Sequence, residues 1–337
     1  MRNIFGAQAV VLTTHRFAID DSHEYRLSQA ELARVIRNLQ GAGVKFVPAE
    51  ALLNGEFSES RSTPFAAITV DDGYADFATV ALPVFEALRV PSTLFITTAA
   101  VLERHWFWWD RVEYVLATTM RPRIDLPELL GGGEYDVAAG PRKRTAQAKG
   151  LAAGLVHVPP VLRDETINAL ARAGGVDIPA MATRDFAAVE ADQLRRFESS
   201  GVRIGAHTVN HPTLSTIDAE SGLREITESV EAVKLLVDNP SSIFCYPNGT
   251  SQDYDLSHSG CLQRLGIRFA VTTDAGYVSP SAYTVGSSST TMVPADYAVP
   301  RHHIDSSERT LLDLAGVGLA SRSRWQTRAR QVTSVAS

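Results

Sequence analysis

Ala66-Ala67-Ile68-Thr69-Val70-Asp71-Asp72-Gly73-Tyr74 is the stretch whose reading decides the fold. Its first five residues are uncharged, and three of them are β-branched, which suits a buried strand. Asp71-Asp72-Gly73 breaks that strand. A helix is expected over 77–88 and a further strand over 92–97. A strand, a helical crossover and a second strand make a parallel pair. In such architectures chemistry gathers at the C-terminal ends of the strands, where the two acids stand.

Outward from this unit the same rhythm recurs. A strand over 7–12 ends in Thr13-Thr14-His15-Arg16. Ser28 and Glu31 form a capping box for a helix to about residue 39, and 45–47 is a short strand. Later come a strand over 202–206, a helix capped by Asp218 and running to about 237, and a strand over 243–245. A helix over 256–265, strands over 268–271 and 297–299 and a last helix from about Ser306 complete the series. The stretch from about 103 to 190 interrupts it. It opens with His105-Trp106-Phe107-Trp108-Trp109-Asp110-Arg111, holds Gly131-Gly132-Gly133, and reads as a mostly helical insertion. The expectation is one α/β domain over 1–320, a (β/α) barrel with a helical insertion at about 103–190, and a basic tail over 321–337.

At 337 residues, 45% hydrophobic and 21% charged, the chain is long enough and apolar enough for one large core. A net charge of −6 argues against a nucleic-acid partner. Arg322, Arg324, Arg328 and Arg330 form a basic tail, read as solvated, with peripheral contact to an anionic membrane surface as the alternative. Cys245 and Cys261 make no CxxC pair, so reduced thiols in a cytoplasmic protein are expected. No apolar signal region and no membrane-spanning run is seen, so no stable membrane insertion is expected.

His15, Asp71-Asp72, His207 and Tyr246-Pro247-Asn248 all follow expected strands, and this common placement points to one site. Adjacent acids at a strand end leave the backbone in different directions. One can hold a metal while the other serves as a base. Taken alone, Asp-Asp-Gly reads equally as a polar turn. His207 and His211 have an HxxxH spacing that lets both imidazoles reach one ion, or else they are exposed loop histidines. Pro212 argues for a loop rather than a helix there. Thr208 occupies the position where a zincin has glutamate, so a base must come from elsewhere. No GxSxG elbow and no phosphate-binding glycine loop is present.

Together the two motifs carry a resemblance. Ile68-Thr69-Val70-Asp71-Asp72-Gly73-Tyr74, followed by Pro91-Ser92-Thr93-Leu94-Phe95-Ile96, closely resembles the first motif region of the polysaccharide deacetylases, carbohydrate esterase family 4. Gly205-Ala206-His207 to His211 resembles the second, H-[ST]-x-x-H. The likeness spans about 7–100 and 200–305, and Phe107-Trp108-Trp109-Asp110-Arg111 looks like an exopolysaccharide-associated branch.

The resemblance implies a deformed (β/α) barrel and metal-dependent removal of an N-acetyl group from an amino sugar in a polysaccharide or glycoconjugate. It implies Asp71 as base, and Asp72, His207 and His211 as ligands of a divalent metal, usually Zn²⁺. Cys245-Tyr246-Pro247-Asn248-Gly249 lies where the family has R-x-P-Y-G. The arginine position is therefore Cys245 and the tyrosine position Asn248. A backbone amide there can still serve an oxyanion, with Tyr246 and Asn248 as the candidates. Arg301 is the candidate to orient Asp71 in place of the missing arginine. The family's histidine acid is placed at His15, because Val11-Leu12-Thr13-Thr14-His15-Arg16-Phe17 resembles the corresponding segment of poly-N-acetylglucosamine deacetylases. His302 and His303 are held in reserve. Trp106, Trp108 and Trp109 read either as a platform for a sugar ring or as packing of the insertion. The alternatives are a same-fold amidohydrolase acting on a non-sugar amide and an inactive glycan-binding domain.

Overall fold

The structure, a computed structural model, describes residues 9–20, 25–57, 63–278 and 294–304. The chain opens with β1 (Ala9–Thr14), the short pair β2 (Phe17–Ala18) and β3 (Leu27–Ser28), and α1 (Gln29–Gly41). Ser28 and Glu31 close the capping box of α1. β4 (Lys45–Phe46), α2 (Ala49–Leu53) and β5 (Phe65–Val70) follow. A π-helical turn over Phe77–Ala81 runs into α3 (Leu82–Leu88), then β6 (Ser92–Ile96) and α4 (Thr98–Glu103).

The insertion holds α5 (Trp108–Thr118), β7 (Arg123–Leu126), β8 (Gly133–Asp136), α6 (Pro141–Ala153) and α7 (Pro160–Gly174). The barrel resumes with α8 (Leu194–Ser199), β9 (Val202–Ala206), α9 (Ala219–Leu236), β10 (Ile243–Cys245), α10 (Ser259–Arg264), β11 (Phe269–Val271) and β12 (His302–His303).

Among the described residues, seven strands lie in the order β11-β10-β9-β6-β5-β1-β12, and β4 pairs with the start of β5. Every pairing in this sheet is parallel. The chain just before β12 draws the two edges together. Val299 bridges Val271 of β11, and three residues later His302 pairs with Leu12 of β1. The fold is thus a deformed (β/α) barrel. Among the described residues no helix is long and apolar enough to cross a membrane.

Both faces of the strands are buried, which explains their unbroken apolar runs. Val10 and Leu12 of β1, and Ala66, Ile68 and Val70 of β5, face the helices. Ala9 and Val11, with Phe65 and Ala67, face the barrel interior. Continuing the period of two, Thr13 and Thr69 extend that inner file, and Asp71 stands at its top. The interior therefore turns from apolar to polar toward the C-terminal ends of the strands. The insertion builds its own core from Trp108, Val112, Val115, Leu116, Leu151, Ile167 and Leu170, among others.

The structure departs from the sequence reading in three places. The strand expected over 297–299 is a 3₁₀ turn over Pro294–Tyr297 and a single bridge at Val299, and the strand itself is β12. The insertion contains the antiparallel hairpin β7–β8, whose turn uses left-handed glycines at 131–133. The helix expected over 256–265 starts as a 3₁₀ turn. The helix from Ser306 and the arginines of the basic tail lie outside the described residues.

Candidate active site

Asp71 and Asp72 diverge for a backbone reason. Asp71 continues the extended file of β5, and its N–H donates to the Thr14 carbonyl at 3.0 Å. Asp72 sits in the left-handed region at φ 73°, which swings its side chain away from that of Asp71. Gly73 follows at φ 84°, and a Cβ there would lie 2.9 Å from Cγ2 of Ile96, so no larger residue fits. Both carboxylates are buried.

Asp71 belongs to Arg301. The guanidinium approaches bidentately, Nη1 to Oδ1 and Nη2 to Oδ2, each at 2.7 Å. Its other donors reach the Thr272 carbonyl at 2.7 Å, Thr69 Oγ1 at 3.0 Å and Cys245 Sγ at 3.3 Å. All five guanidinium N–H groups are therefore used. Burial opposes ionisation of Asp71, but the charge and hydrogen bonds of Arg301 outweigh it and hold the carboxyl at about 2. Arg301 is itself 1% exposed.

Asp72 faces two imidazoles. Its Oδ1 lies 3.5 Å from Nε2 of His207 and 3.4 Å from Nε2 of His211. His207 ends β9, and its Nδ1 lies 2.7 Å from the Cys245 carbonyl. A carbonyl only accepts, so Nδ1 carries the hydrogen and Nε2 offers its lone pair toward Asp72. His211 is carried by the following loop. Thr208 pins that loop, since its hydroxyl donates to the His207 carbonyl and accepts the His211 N–H at 3.0 Å. Glu225 of α9 accepts from the N–H groups of Val209 and Asn210 and from the Asn210 side chain.

The fit to a cation can be tested on these atoms. One donor atom from each of Asp72, His207 and His211 lies within 4.8 Å of the others. Oδ1 of Asp72 is buried and has no hydrogen-bond partner among the described residues. Such a set is unfavourable unless a positive ion balances it, and two imidazoles with one carboxylate suit an open zinc-type site. A second grouping, Asp71, His207 and Cys245, also meets the distance test. Arg301 already occupies both Asp71 oxygens and touches the thiol, so the Asp72 group is the better cation site.

His15 lies with Nε2 3.6 Å from Oδ2 of Asp71, its side chain 37% exposed. At that distance the imidazole and the carboxylate stand side by side on one wall of the site. His303 stands beside His15 with ring centroids 5.5 Å apart, and His302 lies against Tyr277. Asn248 sits at φ 59° and donates from its side chain to Thr213 at 2.8 Å. Tyr246 does not offer its side chain to the site. It is the outward residue of the β10 alternation and stacks on Tyr254 at 4.1 Å, while Ile243 and Cys245 face inward.

Sequence reasoning missed the wall behind His211. The Trp109 ring meets His211 at 4.6 Å, and its Nε1 donates to the Tyr74 hydroxyl at 2.9 Å. Tyr74 in turn donates to Asp110 at 2.8 Å, and Arg16 stacks on the Tyr74 ring. Burial raises the Asp110 carboxyl to about 7, with Arg16 opposing. Only the proximity of Tyr74 to the acids and of Asp110 to the tryptophans hinted at this. Glu225 carried no local signal, because the loop it holds comes from a different element.

The sequence profile of the polysaccharide deacetylase family matches residues 157–270, a stretch that includes His207 and His211. The chain resembles the polysaccharide deacetylases. No curated protein sequence matches it. Among solved structures, the fold is similar to the Streptococcus pyogenes deacetylase PplD, with a TM-score of 0.56, 14% identity and 92% of this chain covering 99% of that one. IcaB from Ammonifex degensii gives a TM-score of 0.52 at 15% identity, covering 92% of this chain and 97% of that chain. A de-N-acetylase from Aggregatibacter actinomycetemcomitans gives 0.51 at 15% identity, covering 91% and 99%. At these identities the likeness is one of fold, and this deacetylase-like barrel departs from the family's third motif at Cys245 and Asn248.

Proposed function

We propose that the chain hydrolyses the N-acetyl group of an amino sugar in a polysaccharide or glycoconjugate, with a divalent metal, Zn²⁺ by preference, held by Asp72, His207 and His211. One observation carries this reading: two adjacent carboxylates are sorted by the backbone, Asp71 to a guanidinium and Asp72 to two imidazoles. The match to the polysaccharide deacetylase profile favours a glycan over other amides.

A bound metal supplies Lewis-acid polarisation of the acetamide carbonyl and acidification of a water. Asp71 is the general base that accepts the proton of the attacking water. Arg301 is its positioning residue, fixing both carboxylate oxygens. The backbone N–H of Asn248 is the donor for the oxyanion, since that of Tyr246 donates to the Val271 carbonyl at 3.3 Å. His15 hands a proton to the departing amine. Residues 1–320 act as one barrel domain, with the insertion at about 103–190 walling the site through Trp109. Cys245 and Cys261 are free and buried, which suits the reducing cytoplasm.

The test combines metal analysis with acetate release from N-acetylglucosamine oligomers. About one divalent ion per chain and metal-dependent acetate release are the expected outcome. Metal-loaded protein that releases no acetate from any oligomer would overturn the reading.

A further inference from the structure

The aromatic segment that opens the insertion serves two spaces. Phe107 and Trp109 pack on His211, with centroids 5.9 and 4.6 Å away. Trp106 and Trp108 instead line a cavity of about 750 Å³, which Asn210 and Pro212, the neighbours of His211, also line. That volume lies within the usual range of small-molecule sites. The cavity therefore adjoins the catalytic candidates across one loop.

Its wall carries a charge with no counter-charge in contact among the described residues. Arg163 of α7 is 4% exposed and lies over the Trp108 ring at 4.5 Å. Its Nε and Nη1 are buried without an acceptor among the described residues, and so is Nε1 of Trp108. These are all donors. The acidic groups nearby are engaged elsewhere or stand at the rim. Asp164 pairs with Arg111 at 2.5 Å, and Glu225 is held by the Val209–Asn210 loop. Glu228 is exposed, as is Arg224 on the same helix. Burial lowers the pKa of Arg163 to about 10, against the pull of Asp164, so the group is still a cation at neutral pH. A buried cation without a partner is costly, and a cavity beside it is a place for the compensating anion.

We propose that this cavity binds an acidic group of the glycan substrate, a sugar carboxylate or a phosphate ester, while an N-acetylated sugar of the same glycan occupies the Asp71 site. The glycan part rests on the deacetylase reading, and the anion part rests on the cavity alone.

Calorimetric binding to the full chain with three tetrasaccharides tests this. One is neutral, built from N-acetylglucosamine. One alternates N-acetylglucosamine with glucuronate. One is the neutral tetramer carrying a phosphate ester. At least one acidic tetramer should bind about tenfold tighter than the neutral one, a gain in line with a charge-assisted contact. Which one does so identifies the source of the charge. Arg163→Met should erase the preference, Arg163→Lys should keep most of it, and acetate release from the neutral tetramer should stay unchanged in both. Ala180→Glu, at an exposed position lining the cavity, should weaken only acidic tetramers, and it guards against a folding defect in Arg163→Met. Equal affinity for all three tetramers, or a preference that survives both Arg163→Met and Ala180→Glu, overturns the proposal. An Arg163-dependent preference without acetate release from any tetramer would overturn the deacetylase reading while the acidic site stands.

Discussion

Arg301 and Asp71 meet as a two-toothed pair, each terminal nitrogen 2.7 Å from its own carboxylate oxygen, although 230 residues separate them in the chain. Arg301 also fills the space beside Cys245, the position where the resemblance calls for arginine. The same guanidinium chemistry thus reaches Asp71 from the residue just before β12.

Arg301→Met should leave a buried carboxylate unpaired and cost about 3–5 kcal/mol of stability. The Asp71 carboxyl is held at about 2, below its ordinary 3.8, so its contribution is present above pH 3.8 and is lost as pH falls toward 2. Acid titrations followed by circular dichroism should show the variant unfolding at higher pH than the parent. The acid limb of its pH–rate profile should also move upward. An unmoved acid limb would show that Arg301 does not tune Asp71.

Asp71→Asn and Asp72→Ala should fail differently. The first should keep its metal and lose about a hundredfold or more in turnover, as for loss of a general base. The second should lose metal and turnover together, as should His207→Ala and His211→Ala. Metal analysis beside acetate assays reads both, and the reverse pattern would swap the two roles.

His15→Ala should retain metal, lose about a hundredfold in turnover, and alter the alkaline limb of the profile. His303→Ala, which removes the ring beside His15, should stay close to the parent. A large loss in His303→Ala with normal His15→Ala would move the acid to β12.

Asp110 gives a stability test. Its carboxyl is raised by burial from 3.8 to about 7, so its contribution is full below pH 3.8 and is lost as pH rises through 7. Asp110→Asn, which can still accept from Tyr74, should melt progressively higher relative to the parent between pH 5 and 8. A constant difference across that range would refute the shift.

The residues that converge here were legible where local pattern sufficed. Strand ends at Val70 and Ala206, and the Ser28 and Asp218 caps, follow from β-branched runs and helix-start chemistry. Asp71, Asp72, His207 and His211 stood out because those ends collect on one rim. The outward packing of the Tyr246 side chain was not legible, because a three-residue strand gives too little alternation to tell inward from outward. β12 was read five residues early, since Tyr297 and Val299 look like strand residues, whereas His302 and His303 are paired by position and not by propensity. The Trp109–Tyr74–Asp110 chain joins side chains some 35 residues apart and leaves no periodic trace.

The segment that closes the ring between β11 and β1 also delivers the partner of Asp71. During synthesis from the N-terminus, Asp71, Asp72, His207 and His211 all emerge well before residue 301. A nascent chain could gather the three candidate ligands of the cation while Asp71 still lacked its guanidinium partner. Catalytic competence would then arrive only with the final stitch of the barrel, so that an unfinished or clipped chain would hold metal without working on substrate.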